Sequence, residues 1–581
     1  YRNESNRLRI AVRLRGRKGN RFGIGARIRL ASGSTTLSQE MIAGGRYLSG
    51  DDSLRVFAVV QEGPHRLDVF WRSGARSQLE NVQANHLYEV HEPEAKAELQ
   101  VPPPPLLPVF DDVSTRLNHR HEQRPVDDFL NDPLLPRRIS QAGPDVTWLD
   151  VNRDGWEDLV IAGSDGLELF VNTVGKFKSV NDPKVAGPVR EVPVETDERV
   201  NDWVLADLDG DGDGDLALAT EWGPVRVFRN DDGKYSEQTD ALGLGRYRGW
   251  WNGVAMIDAN NDGQLDIVAS NWGRNSFYET LLRESSGESR LALFIGDVDG
   301  NGTVEQLEAV QINDRWLPVR DRHALEKGLP DLRSRFPVHA EMVELGIKGI
   351  AGAAFTRLKK MEVNHLDTTL FINRGGRFES VPLPMEAQLA PAFAVCVGDV
   401  NADGNEDLFF SQNFFAVRPE DPRNDAGTGL WLLGQGDGVF SALGPSESGV
   451  RVDGEQRGAA LADFDHDGRV DLVVTQNAAA TRLFRNQLET RGLRVRFAAD
   501  VVGEGALLRL IYRDGIKGPA RIVPSESRYR SLNATTQVLG AAAEVIAVEV
   551  AWPSGKKTTV SLKPGQTEVV LTNSSEPAGG R

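Results

Sequence analysis

Six times along this chain an oxygen-rich loop hinged on glycine runs straight into a short apolar strand, which confines the fold to a series of small β units of one design. The clearest copy is Asp207-Leu208-Asp209-Gly210-Asp211-Gly212-Asp213-Gly214-Asp215. In such a loop, side-chain oxygens at positions one, three, five and nine converge on a cation, position seven adds a carbonyl, and glycine at position six takes the turn. Asp207, Asp209, Asp211 and Asp215 hold the four side-chain positions here. The same register is filled by Asp150, Asn152, Asp154 and Asp158; by Asp258, Asn260, Asp262 and Asp266; by Asp399, Asn401, Asp403 and Asp407; and by Asp463, Asp465, Asp467 and Asp471. A weaker copy has Asp297, Asp299, Asn301 and Glu305. A lone loop of this kind reads as a solvated acidic turn roughly one time in three, but six in one register read as five or six calcium sites. Magnesium fits less well, because it demands stricter geometry and keeps several waters.

The flanks are strands. Leu216-Ala217-Leu218-Ala219 and Leu472-Val473-Val474 are apolar over a few residues, and no amphipathic helix brackets a loop as in an EF-hand. Starts at 150, 207, 258, 297, 399 and 463 give an ordinary spacing of about 40 to 65 residues, the period of four-stranded propeller blades. The expected fold is therefore all-β: a calcium-loop β-propeller, with six blades visible and a seventh, loop-free blade expected in 115–148 or 178–200. Outer-strand pairs follow the loops, as in Leu169-Phe170-Val171-Asn172 to Phe177 and Leu370-Phe371-Ile372-Asn373 to Phe378. Pro108 to Val113 looks like the last strand of a hairpin without a partner before it, and Leu483 to Asn486 lacks a strand after it. Pairing the two would close the array and remove exposed edges. The gap of 102 residues between the fourth and fifth loops exceeds one blade, and Asp321 to Met361 reads as a helical insertion.

The domain boundaries follow from these repeats. Residues 1–90 form a small β domain, 91–107 a spacer around Pro102 to Pro105, 108–486 the propeller with its helical insertion near 321–361, 487–572 a second small β domain, and 573–581 a tail. Tyr1-Arg2-Asn3-Glu4 repeats the pattern of Phe484-Arg485-Asn486-Gln487, so upstream domains of a longer chain are expected, with any signal peptide among them. The net charge of −17 conceals an asymmetry: residues 1–90 carry +7, residues 487–581 carry +4, and the middle carries −28. An acidic centre between basic ends argues against nucleic acid as a partner, and much of the acidity is accounted for by the loops. No stretch approaches the roughly 20 apolar residues of a membrane span. With Cys396 as the sole cysteine, disulfides cannot staple an exported fold, which leaves that role to calcium. Loops of this modest design suit millimolar extracellular calcium, and so an extracellular, periplasmic or cell-surface location.

The two ends resemble each other. Gly25-Ala26-Arg27-Ile28-Arg29-Leu30 matches Gly505-Ala506-Leu507-Leu508-Arg509-Leu510, Arg46-Tyr47-Leu48-Ser49 matches Arg528-Tyr529-Arg530-Ser531, and Asp68 to Gly74 matches Glu549 to Gly555. The Trp-Pro-Ser-Gly turn behind a Gly-Ala-x-x-Arg-Leu strand resembles the ASPIC/UnbV domain, and the repeats resemble the FG-GAP/VCBS repeats of the cartilage acidic protein family and its bacterial relatives. Leu134-Leu135-Pro136, Ser140 to Pro144 and Pro419 to Gly427 support the likeness. The resemblance implies two sandwich- or barrel-like flanking domains and a calcium-binding, surface or secreted protein, mostly without an assigned activity. Arg528-Tyr529-Arg530-Ser531 departs from the usual Gly-Tyr-Leu-Ser, and Glu305 from the usual aspartate.

If the propeller is similar to integrin α-subunit rings, the loops lie on one face and the second strands end on the other. Glu221-Trp222, Asn271-Trp272-Gly273-Arg274, Gln412-Asn413 and Gln476-Asn477 stand at those ends, and Trp203, Trp250 and Trp251 precede innermost strands. Such aromatic, amide and charged residues suit a glycan or an extracellular protein. The competing reading is that each tryptophan wedges between blades. Catalysis has weaker signals. His119 and His121 sit at strand spacing without a third ligand, and Glu221 has no carboxylate partner identifiable by spacing. The leading expectation is a non-catalytic recognition or adhesion protein. The alternatives are a carbohydrate-active enzyme, of lyase or dehydratase type, and a structural spacer in a longer array.

Overall fold

The computed structural model describes residues 7–17, 19–33, 35–44, 50–60, 62–94, 107–124, 126–163, 166–180, 192–284, 290–498, 501–524, 531–540 and 544–572. Tyr1 to Glu4, Arg46 to Ser49, Arg528 to Arg530, most of the proline spacer and the tail lie outside them. The chain divides into two compact units, Tyr1–Pro105 and Leu106–Arg581.

The first unit has seven strands: β1 (Arg9–Arg15), β2 (Arg27–Ser32), β3 (Thr35–Glu40), β4 (Leu54–Ala58), β5 (His65–Phe70), β6 (Arg76–Val82) and β7 (Leu87–His91). They form two sheets, β4-β1-β7 and β3-β2-β5-β6, with β1 and β7 parallel. Alternation along β1 and β2 buries Ile10, Val12, Leu14, Ile28 and Leu30 in one core shared by both sheets, with Phe57, Leu67 and Val69 opposite.

Six sheets of the second unit are each built on a four-stranded antiparallel ladder in which an aspartate loop joins two neighbouring strands. Sheet I is Asp145–Leu149, Asp158–Gly163, Gly166–Thr173 and Lys176–Val180; sheet II is Arg199–Ala206, Asp215–Pro224, Arg226–Asp231 and Lys234–Glu237. Arg248–Trp250 adds a fifth strand to sheet II and Ser531–Leu532 a fifth, parallel, to sheet I. Sheet III is Gly253–Ile257, Asp266–Ser270, Thr369–Asn373 and Phe378–Pro382; sheet V is Ala392–Gly398, Asp407–Gln412, Leu430–Gly434 and Phe440–Leu443. Sheet VI takes Gln456–Ala462, Asp471–Gln476 and Arg482–Asn486, and its fourth strand is Phe110–Asp112, paired Phe484 to Asp112 and Asn486 to Phe110. The expected pairing of Pro108 to Val113 with Leu483 to Asn486 is thus made.

Sheet IV (Leu291–Gly296, Glu305–Ile312, Arg315–Pro318 and Lys359–Val363) lies between the second and third strands of sheet III in sequence, so the long fourth repeat is an insertion within its neighbour. Helices at Arg322–Leu325, Leu332–Arg335 and His339–Ala351 bury Leu325, Leu332, Met342 and Ile347 against Phe294 and Leu307 of that sheet. The expected seventh blade is not seen in 115–148, which hold a one-turn 3-10 helix, a one-turn α-helix and the first strand of sheet I, and of 178–200 the stretch 181–191 lies outside the described residues.

Apolar layers join successive sheets. Val254, Met256 and Phe371 of sheet III meet Val204 and Val227 of sheet II; Ile257 and Leu370 meet Val397 and Phe410 of sheet V; Phe409 and Trp431 meet Leu461 and Val474 of sheet VI; Ala460 and Val473 meet Trp148 and Ile161 of sheet I. Among the described residues no apolar cluster joins sheet I to sheet II.

The C-terminal module repeats the first unit. Its sheets take Gln537–Leu539, Leu493–Phe497 and Glu568–Leu571 in that order, the last two parallel, and Arg521–Ile522, Leu507–Tyr512, Val545–Ala551 and Lys557–Ser561. The Trp552 N–H donates to Lys556 O (2.8 Å) and its Nε1 to Thr558 Oγ1 (2.9 Å); Trp71 makes the same bonds to Ala75 O and Ser77 Oγ, both at 2.9 Å. Ser531–Leu532 leaves this module to pair in parallel with the first strand of sheet I.

Candidate functional site

Each aspartate loop is a network of short-range bonds that the residue spacing dictates. The first aspartate accepts from the N–H of the position-six glycine in all six copies: Asp150 from Gly155, Asp207 from Gly212, Asp258 from Gly263, Asp297 from Gly302, Asp399 from Gly404 and Asp463 from Gly468. Those glycines have positive φ, +98° at Gly212, so a side chain there would be strained. Position four is also left-handed throughout, although Arg153, Asn261, Ala402 and His466 occupy it in four copies. In the five copies other than the Asp463 loop, the side chains at positions three and five accept from N–H groups two residues on, as Asn401 does from Asp403 and Asp403 from Asn405.

The position-nine carboxylate ties the loop to the sheet. Asp158, Asp215, Asp266 and Asp471 each accept from the N–H at position two and from that of an asparagine ending the third strand, Asn172, Asn230, Asn373 or Asn486; in sheet V, Gly434 replaces the asparagine for Asp407. The asparagine side chain reaches back to the loop, and Asn172 and Asn486 also reach the next sheet, at Phe464 O and Val400 O. These asparagines were visible in sequence only as the end of a recurring strand pattern.

The donor set fits a hard divalent cation. In Asp207, Asp209 and Asp215, in Asp297, Asp299 and Glu305, and in Asp463, Asp465 and Asp471, carboxylate oxygens lie within 4.8 Å of one another. Asp258 Oδ1, Asp465 Oδ1 and Asp467 Oδ1 are buried and have no hydrogen-bond partner among the described residues. Burial, reinforced by the neighbouring loop carboxylates, pushes Asp215, Asp258 and Asp463 up to about 6 and Asp266 and Asp399 up to about 7. It also raises Asp407 and Asp471 well above the ordinary carboxylate range. A cation would relieve that crowding of negative charge. Guanidinium groups meet part of it in two loops. Arg229 lies 2.7 Å from Asp209 and 2.9 Å from Asp211; Arg494 lies 2.7 Å from Asp463, while Arg485 and Arg469 reach Asp467 at 2.9 and 2.6 Å.

The C-terminal module packs on the loop ends of the sheets. Ala520 N–H donates to Asp258 (2.7 Å), Thr490 Oγ1 to Asn401 O (2.9 Å), Gly492 N–H to Gly468 O (2.9 Å), and Arg521 donates two hydrogen bonds to Glu406.

At the other end of the second strands, the expected aromatic face is corrected. Trp203, Trp222, Trp250, Trp251 and Trp272 are at most 4% exposed. Trp203 packs in the apolar cluster of sheet II with Leu216 and Phe228, and Trp251 packs between sheets II and III. Trp222, Trp250 and Trp272 form one cluster, with successive ring centroids 4.9 and 5.7 Å apart, so broad ring faces are not open for stacking. The segment from Leu134 to Pro144 crosses over them. Arg138 N–H donates to Ala416 O, Pro144 O accepts from Thr475 Oγ1, and Arg137 sits 4.5 Å from the Trp272 centroid while donating to Glu221 (2.6 Å). Asn271, Asn413, Gln476 and Asn477 are buried and spent on internal bonds, for example Asn413 to Gly427 O and Asn477 to Glu455; Gln412 is also buried.

What this end offers instead is a hollow of about 490 Å³ lined by Pro136, Arg137, Trp272, Arg274, Tyr278 and Asp421. Arg274 is fixed by a two-pronged pair with Asp367. Tyr278, Glu308, Arg320 and Asp421 form a hydrogen-bonded chain behind the wall. A second hollow, of about 300 Å³, shares Arg137 and adds Asp197, Arg199, Glu221, Trp222 and Lys359. Arg137, Tyr278 and Asp421 were not singled out from sequence, although Arg137 and Asp421 belong to or adjoin the two stretches, Leu134 to Pro136 and Pro419 to Gly427, that carried the family likeness. His119 and His121 lie elsewhere: His119 bonds Thr481 Oγ1 (2.8 Å), and His121 Nδ1 accepts from Ala478 N–H (3.2 Å). Among the described residues no histidine joins a metal-ligand group.

Residues 16–97 match the ASPIC and UnbV family model, and residues 207–269 match the FG-GAP-like repeat model. Cartilage acidic protein 1 of Xenopus tropicalis is 22% identical over 507 residues, covering 76% of each chain. The Mus musculus protein is 23% identical over 497 residues, covering 73% of this chain and 72% of its own. A solved structure concerning recognition of non-reducing terminal N-acetylglucosamine by an Agrocybe aegerita lectin aligns over 57% of this chain and 60% of its own, at 15% identity and a TM-score of 0.21, too low to bear on the fold. Among the described residues no helix is long and apolar enough to cross a membrane.

Proposed function

We infer that this chain, an ASPIC/UnbV protein with FG-GAP-like repeats related to cartilage acidic protein 1, is an extracellular recognition protein whose repeats are held rigid by calcium. The six sheets are read as propeller blades, with sheet IV an outgrowth of sheet III. Calcium is supported by the oxygen-only donor sets and the orphaned carboxylate oxygens. One cation per loop would replace the crowding of like charges with attraction.

A glycan or an extracellular protein is the proposed ligand, bound at the hollow beside Arg137 and Arg274. The observation that carries this reading is a mixed polar and apolar cavity of about 490 Å³ whose guanidinium groups are already fixed by Glu221 and Asp367, so that binding would cost little ordering. The test is a glycan and extracellular-protein array with calcium and with chelator, repeated with Thr280→Trp, which fills the hollow from its exposed rim. Hits lost in that variant support the reading. No hit in either condition, or hits that Thr280→Trp leaves unchanged, would overturn it.

A carbohydrate-active enzyme is the second reading, favoured by Asp197 and Glu221 lining one hollow. Sugar-polymer turnover by the wild type that disappears in Glu221→Gln would establish it.

A further inference from the structure

The chain carries two copies of one module, and the second shows what covers a face that the first leaves open. The ladders align the copies residue by residue. Ile10 opposes Phe57 as Leu493 opposes Leu539, so Val56 stands where Val538 does and Arg55 where Gln537 does. Ile28 opposes Gln39 as Leu508 opposes Arg521, so Gln39 and Glu40 stand where Arg521 and Ile522 do.

In the C-terminal copy this face is covered by loop-side residues of the repeats. Val538 is 5% exposed and packs in the apolar layer of sheets V and VI, Ile522 packs with sheets II and III, and Arg521 is paired to Glu406 beside the Asp399 loop. In the first unit Val56 is 45% exposed, and no residue of β3 is buried. Arg55 donates only to main-chain carbonyls, of Glu40, Asp52, Leu54 and Ile42, so its charge has no carboxylate partner among the described residues.

We propose that the β3–β4 face of the first unit is a docking surface for the aspartate-loop face of a second set of FG-GAP-like repeats, one other than residues 108–486. The repeats of residues 108–486 already carry their own module on the loop side. The charge fits, since residues 1–90 carry +7 and the loop-bearing middle of this chain carries −28. The two copies differ at the contact: an aliphatic residue is kept at Val56, a cation moves from Arg521 to Arg55, and both remain suited to a rim of aspartates around an apolar layer.

As a stand-in for a second set of repeats with an uncovered loop face, the test mixes the intact wild-type chain with a full-length variant carrying Arg494→Glu and Arg521→Glu, which sets like charges against Asp463 and Glu406 and lifts that variant's own module from its loops. Sedimentation velocity in calcium should show a one-to-one complex, and Val56→Glu in the otherwise wild-type chain should weaken it at least tenfold. No complex at about 0.1 mM, the weak end of specific association, or a complex indifferent to Val56→Glu, overturns the proposal. Should the double variant fail to fold, residues 8–91 are grafted in place of 493–571 instead. A calcium-dependent cooperative melt in that graft supports the proposal, and its absence overturns it.

Discussion

Arg521 pairs with Glu406 at the centre of the contact between the C-terminal module and the loop ends of the repeats, and the two side chains are only 6% and 2% exposed. Glu406 holds position eight of the Asp399 loop, so this one pair links an aspartate loop to a module more than a hundred residues downstream. The arrangement makes loop and module a single cooperative structure.

Removing the arginine leaves a buried carboxylate without its charge partner. Arg521→Ala is expected to destabilise the chain by about 3–5 kcal/mol, whereas Arg521→Met with Glu406→Leu should cost far less. Urea denaturation of the three proteins measures this difference, and equal losses would show that the pair does not couple the two parts.

Metal-free protein should respond to pH in an unusual direction. Asp215, Asp258, Asp463, Asp266 and Asp399 have folded values of about 6 to 7, above the ordinary 3.8, so the folded state binds more protons than the unfolded state between those limits. Their contribution to stability is therefore present at low pH and lost as pH rises through about 6 to 7. In chelator, the melting temperature should rise as pH falls from about 7.5 to about 5.5, the window set by those values, while the gain from added calcium shrinks. A chelated protein that loses stability steadily over that fall would contradict the assignment.

Asn486 should matter more than its modest chemistry implies. Its side chain donates to Val400 O and Val470 O and accepts from Leu488 N–H, all in a buried setting. Asn486→Ala leaves main-chain groups unpaired at about 1–3 kcal/mol each, and Asn486→Asp should not rescue it because both amide donors are gone. Thermal melts of the two variants, with Asn131→Ala as an exposed control, read this out.

Trp272 is structural as well as wall. Trp272→Ala removes a buried ring packed on Trp250 and Phe414 and is expected to cost about 3–5 kcal/mol, so loss of ligand binding in that variant alone would be uninformative. Arg274→Lys should keep the melt within a few degrees yet break the two-pronged pair with Asp367, changing binding at the hollow without unfolding the chain.

The loops were legible because their bonds are local: Asp207, Asp209 and Asp211 bond main-chain groups within five residues, and the spacing alone encodes them. The strand pairing of Phe110–Asp112 with Arg482–Asn486 was legible as two halves of one recurring pattern. The helices near 321–361 were legible in the long gap, but the nesting of sheet IV within sheet III was not, because sheet IV carries its own copy of the loop and reads in sequence as another serial repeat, although sheet III resumes only at Thr369. Burial of Trp222 and Trp272 was illegible for a different reason. It is imposed by Arg137, more than eighty residues away in sequence, whose segment crosses the strand ends. The pairing of Ser531–Leu532 with sheet I is equally non-local.

The most direct test of the central claim, that the aspartate loops are cation sites which fix the fold, is a thermal melt of the purified protein before chelation, after chelation, and after calcium or magnesium is restored. A cation bound only by the folded state adds RT ln(1 + [L]/Kd) per site, about 2.7 kcal/mol at a hundredfold excess over Kd. The expected result is a fall of many degrees on chelation, recovered by calcium and only weakly by magnesium. A melting temperature that chelation leaves unchanged would contradict the account.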